Sequence, residues 1–117
     1  MTRQRNDKHS TPFGLWIREQ NEIDSSLGFV TTDIDYLWEN YKTGDWMMVE
    51  EKRFMSECPF SQKAQLKSLN HRIIHDPKFK GIHLLQFERT SPDDGRIYWD
   101  RKEITRDQLI QLLRFET

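Results

Sequence analysis

Apolar residues recur at two periods along this chain, and the places where the period changes mark its elements. Phe13, Trp16 and Ile17 follow Ser10-Thr11-Pro12 at helical spacing. A capping hydroxyl before a Pro starts a helix, because Pro presets φ and its missing N–H would have no partner at that position. The spacing predicts a helix from Pro12 to about Glu22, ended by Ser25, Ser26 and Gly28. From Phe29 to Tyr41 the period becomes two: Val30, Thr32, Ile34, Tyr36 and Trp38 alternate with Thr31, Asp33, Asp35 and Leu37. That predicts a strand carrying both aspartates on one face. Lys42-Thr43-Gly44-Asp45 predicts a turn, and Trp46 to Phe54 a return strand that is apolar at first and then reads Glu50-Glu51-Lys52-Arg53.

The second half repeats the change of period. Ala64, Leu66, Leu69, Ile73 and Ile74 predict an amphipathic helix over Phe60 to His75, with Ser61 as its cap. A strand is predicted within Phe79 to Thr90, a turn at Ser91 to Gly95, and a paired strand from Arg96 to Asp100. Thr105 with Gln108 three residues on is a capping box opening a last helix through about Arg114, striped by Leu109, Leu112 and Leu113. The order is helix, strand, strand, helix, strand, strand, helix. It predicts a mixed α/β (α+β) fold around one mixed sheet, with a crossover through the second helix. Residues 1–10 lack periodicity and are expected to be a flexible arm, with Arg3, Arg5 and Lys8 as a basic alternative. Residues 11–117 are expected to form a single domain.

Composition narrows the function. The chain is 35% hydrophobic and 32% charged, yet its aromatic residues are spread throughout, which argues against disorder. A net charge of −1 supplies no global basic field, so any nucleic-acid contact must come from a local patch. Lys63, Lys67 and Arg72 on the second helix are the candidates. One cysteine, Cys58, excludes an internal disulfide and a Cys-based zinc site. His71 and His75 lie four apart on a helix but have no evident third ligand, and read as surface residues. No apolar run approaches the roughly 20 residues a bilayer span needs, so no membrane partner and a cytoplasmic location are expected.

The hairpin carries the chemistry. With Thr43 and Gly44 as the two loop residues, Asp35 falls opposite Lys52 and Leu37 opposite Glu50. This register collects Asp35, Glu50 and Lys52 on one face. Two carboxylates on neighbouring strands can hold a hard cation such as Mg²⁺ or Mn²⁺, and a lysine beside them can stabilise developing negative charge. The competing expectation is a solvated charge cluster, with Asp35 and Lys52 as a cross-strand pair.

An Asp in one strand, a hairpin, and an apolar strand ending in Glu50-Glu51-Lys52 resemble the PD-(D/E)xK, restriction-endonuclease-like nuclease superfamily, in its Holliday-junction-resolvase-like branch. The resemblance covers residues 12 to 90. It implies an α-β-β-β-α-β core, a Mg²⁺- or Mn²⁺-dependent endonuclease acting on DNA, and a possible homodimer. It also implies Asp35 and Glu50 as metal ligands, Lys52 as the catalytic lysine, Asp33 as the rival acid and, on the first helix, Glu22 or Glu19 as a further ligand, Glu22 lying nearer the strand. Gln62 and Gln65 match an accessory glutamine of some members, without its aromatic partner. The Pro of the motif is absent, with Ile34 before Asp35. A catalytically inactive module that kept the fold is the alternative.

Overall fold

A computed structural model of the chain describes residues 11–29 and 33–116. The arm expected at 1–10, and the stretch Val30 to Thr32 of the expected first strand, lie outside the described residues. Contacts gather into two compact units, Met1–Thr31 and Thr32–Thr117, a division that the expectation of one domain over 11–117 did not include. Each unit is described by itself.

The first unit holds helix α1, Pro12–Glu19, followed by two short 3-10 turns, Asn21–Ile23 and Ser25–Leu27. Thr11 caps α1: its hydroxyl accepts from the Gly14 N–H at 3.1 Å, with Pro12 at the first helical position. The helix stops three residues before the expected Glu22. Gln20 is extended there, and Glu22 falls instead in the first 3-10 turn. Gly28 ends the second turn at φ 101°, a left-handed conformation that glycine adopts without steric cost.

The second unit is a five-stranded mixed sheet with two helices. In chain order it contains β1 (Tyr36–Glu39), β2 (Trp46–Lys52), α2 (Phe60–Ile73), β3 (Phe79–Phe87), β4 (Ile97–Trp99), β5 (Lys102–Ile104) and α3 (Arg106–Leu113). The strands lie side by side in that same order. Among the described residues only β2 and β3 are parallel, as a crossover through α2 requires; the other pairs are antiparallel. Among the described residues two strands, not three, precede α2, and β5 extends the sheet beyond the expected hairpin. The expected cap Ser61 has a side chain outside the described set, and Pro59 stands at the N-cap position without a side-chain bond.

Strand alternation gives the sheet two different faces. One carries the core: Met47, Val49, Leu85, Phe87, Ile97 and Trp99 pack with Leu109 of α3. The expected capping box fixes α3, with the Thr105 hydroxyl accepting from Gln108 N–H and the Gln108 side chain accepting from Thr105 N–H. The Trp38 indole N–H donates to the Leu113 carbonyl at 2.6 Å. The opposite face, on the α2 side, carries Met48, Glu50 and Lys52 of β2 with Ile82, Leu84 and Gln86 of β3. Between Phe79 and Ile82, β3 contains one more residue than β2 needs, a bulge that includes Gly81 at φ 103°.

Candidate functional site

The hairpin loop is longer than a two-residue turn, and this corrects the register. Asn40 N–H donates to the Asp45 carbonyl at 2.9 Å, and Gly44 N–H donates to the Asn40 carbonyl at 2.8 Å. The Asn40 side-chain oxygen accepts from Lys42 N–H, an Asx turn that starts the loop early. Tyr36 therefore pairs with Val49, and Leu37 with Met48 rather than Glu50. Asp35 falls opposite Glu50, not Lys52. The displacement is two residues, and Asp35 itself stands in the bend just before β1.

Two hydrogen bonds tie the acids together through their backbones. Asp35 N–H donates to Glu50 Oε1 at 3.0 Å, and Glu51 N–H donates to Asp35 Oδ2 at 2.8 Å. The other Glu50 oxygen, Oε2, accepts from the Gln62 amide at 2.8 Å, so the first turn of α2 reaches the same carboxylate. Glu50 is only 2% exposed. Burial pushes its carboxyl above the ordinary range. The Asp35 N–H, the Lys52 charge and Gln62 pull it back, while the Asp35 charge adds to the rise. Lys52 stands two residues along β2, half-buried, at the end of the strand. Glu51, on the opposite side of β2, accepts from the Tyr36 hydroxyl at 2.8 Å and from Arg53 at 3.0 Å. This pairing leaves it apart from the Asp35–Glu50 cluster.

The remaining expected residues scatter. Asp33 is exposed on the segment leading to β1, and Gln65 is half-buried one turn beyond Gln62. Glu22 lies in the first unit. Lys63 and Lys67 line a cleft of about 420 Å³ that contains Glu50, whereas Arg72 is outside its lining. His71 and His75 are exposed, as expected. Among the described residues, no three His, Cys, Asp or Glu side chains gather as a metal-holding group.

The far wall of that cleft gathers His83, Asp100 and Arg101. His83 Nδ1 lies 2.7 Å from Asp100 Oδ2, and Nε2 lies 2.7 Å from the Lys80 carbonyl oxygen. Both partners are acceptors, an arrangement that favours the doubly protonated ring. Its pKa is raised: burial opposes the charge, but the Asp100 and Lys80 bonds outweigh burial. The ring also stacks on Trp99 at 4.8 Å. Asp100, held below its usual range by His83 and Leu84 N–H against the opposing cost of burial, opens the β4–β5 turn with Arg101. The only signal in the sequence was a His alternating with Leu85 and Phe87 in a strand. No protein-family model, no curated protein and no solved structure matches this chain.

Proposed function

We propose that residues 32–117 act as a metal-dependent endonuclease of the PD-(D/E)xK kind, hydrolysing phosphodiester bonds of DNA. The observation that carries this reading is the Asp35–Glu50 pair: one acid in the bend before β1, hydrogen-bonded through its N–H to the other, which is buried in β2 and approached by Gln62, with Lys52 two residues further along β2. Carboxylate oxygens are the donors that a hard divalent cation takes, and Mg²⁺ fills its other positions with water, so the donor set suits Mg²⁺ or Mn²⁺. A bound cation would polarise a phosphoryl oxygen and lower the pKa of an attacking water. Asp35 and Glu50 would hold it. Gln62 fixes the Glu50 carboxylate in place, and Lys52 would stabilise charge as it develops on the phosphate. Asp33 is the candidate for a further ligand. A pair of copies would set one site against each DNA strand.

A second reading has its own observation. Each Glu50 oxygen already accepts a hydrogen bond from the protein, which suits a buried structural carboxylate in an inactive binding module. Nicking of supercoiled plasmid separates the two. The endonuclease reading expects cleavage that requires Mg²⁺ or Mn²⁺, stops with EDTA, and falls roughly 10²-fold or more in Glu50→Gln and in Lys52→Ala. Absence of cleavage in the wild type, or cleavage unchanged in both variants, overturns it.

A further inference from the structure

We propose that the cleft beside Glu50 binds one phosphate-bearing nucleotide unit of a single nucleic-acid strand, and that Arg101 exchanges its bond to Glu57 for one to the phosphate. The identity of the strand rests on the nuclease reading; the affinity for an anion does not.

The cleft is bounded by α2, by the start of β3 and by the β4–β5 turn, all in the second unit. Its charge is lopsided. Lys63 and Lys67 lie four apart on α2 and so project from one face, with Leu66 between them. Both lysines are exposed, and no ion pair engages either among the described residues. Arg101 contributes from the opposite wall, where His83 and Asp100 offset each other as a pair. Against Lys63, Lys67 and Arg101 stand two carboxylates. Asp100 is already engaged by His83 and by Leu84 N–H, and both Glu50 oxygens already accept, from Asp35 N–H and from the Gln62 amide. Leu66, Ile82 and Leu84 give the cleft an apolar side suited to a sugar or base. A volume of about 420 Å³ sits within the range of small-ligand sites and suits one nucleotide unit.

Arg101 is placed to respond. It occupies the β4–β5 turn at φ 71° and donates from Nη1 to Glu57 Oε1 at 2.5 Å. Both side chains are about half exposed, at 49% and 54%, so solvent screens the pair and it is readily exchanged. A phosphate accepts the guanidinium fork in bidentate fashion, which Glu57 does not do here. Glu57 therefore acts as a competitor for the ligand, holding Arg101 at the cleft's mouth until a phosphate arrives.

The test is fluorescence anisotropy with a short labelled single-stranded oligonucleotide in EDTA, so that no cleavage intervenes. Arg101→Gln and the double change Lys63→Gln/Lys67→Gln should each weaken binding about tenfold. The slope of log affinity against log salt should fall by about 0.7 for each phosphate left without its cation. Glu57→Gln should tighten binding several-fold, a gain that misfolding cannot produce. Unchanged affinity and slope in Arg101→Gln and in the lysine pair would overturn the proposal. Heparin competing as well as the oligonucleotide, with the same dependence on these variants, would overturn the nucleotide assignment. Variant-sensitive binding by a protein that does not cleave plasmid supports the cleft assignment and removes the endonuclease reading.

Discussion

Glu50→Gln and Glu50→Ala should move stability in opposite directions, and the difference follows from where the carboxylate sits. The wild-type side chain is 2% exposed and accepts from Asp35 N–H and the Gln62 amide. A glutamine keeps the shape. Its oxygen accepts from Asp35 N–H, and its amide can donate to Gln62 once the Gln62 amide turns over. Two charge-assisted bonds become two neutral ones, a loss of about 1–3 kcal/mol, while the cost of burying a carboxylate, several kcal/mol per ion, disappears. The raised pKa says which effect wins: the folded state prefers the neutral group. Glu50→Gln should therefore be neutral to about 2 kcal/mol stabilising at pH 7. Alanine leaves the Asp35 and Gln62 donors without an acceptor, at about 1–3 kcal/mol each, and opens a cavity. Even after the charge is gone it should cost about 2–4 kcal/mol, a fall of roughly 10–20 °C in Tm for a unit of this size.

The pH dependence is a second readout. An acid whose folded pKa is raised binds its proton more tightly when folded. Wild-type stability should then decline as pH climbs from the ordinary value of 4.5 through the raised one. Glu50→Gln should lack that decline. Chemical denaturation from pH 4 to pH 8 measures both effects. A Glu50→Gln protein as unstable as Glu50→Ala, or one that keeps the wild-type slope, refutes the account of Glu50 as a penalised buried charge.

Two further outcomes concern the other wall of the cleft. His83 has a raised pKa, so its stabilisation is fully present below its ordinary 6.5 and lost as pH rises through the folded value. Denaturation above neutral pH should show a loss of about 1–3 kcal/mol that His83→Gln removes. Gly81 is at φ 103°, and an added Cβ would lie 3.0 Å from His83 Nε2. Gly81→Ala should cost about 1–3 kcal/mol by thermal unfolding, and NMR should show the His83 ring displaced from Trp99.

What the sequence made legible was local chemistry. Thr11-Pro12 and the Thr105–Gln108 box name their own helix starts, because each satisfies orphan backbone groups within four residues. The hairpin was visible as well, but its register was not. Asn40 reads as part of the strand until its side-chain oxygen is seen to accept from Lys42 N–H and open a longer loop. β5 went unread for a related reason. Its turn uses Asp100 and Arg101 at φ 50° and 71°, where Asn and Gly are the residues that signal such a turn. Asp100 holds that conformation with bonds to His83 and Leu84 N–H, partners 16 and 17 positions away that no short-range pattern can announce.

The bulge in β3 has a consequence for how this sheet tolerates insertion and deletion. Phe79 pairs with Trp46 before it and Ile82 with Met48 after it, so the segment Lys80–Gly81 holds a residue that no strand pair uses. Losing one residue there would leave a regular strand, with the partners on both sides unchanged. What would vanish is the Lys80 carbonyl turned toward His83 Nε2. The surplus residue thus stands outside the strand pairing and turns toward His83 the Lys80 carbonyl, which with Asp100 favours the ring's charged form.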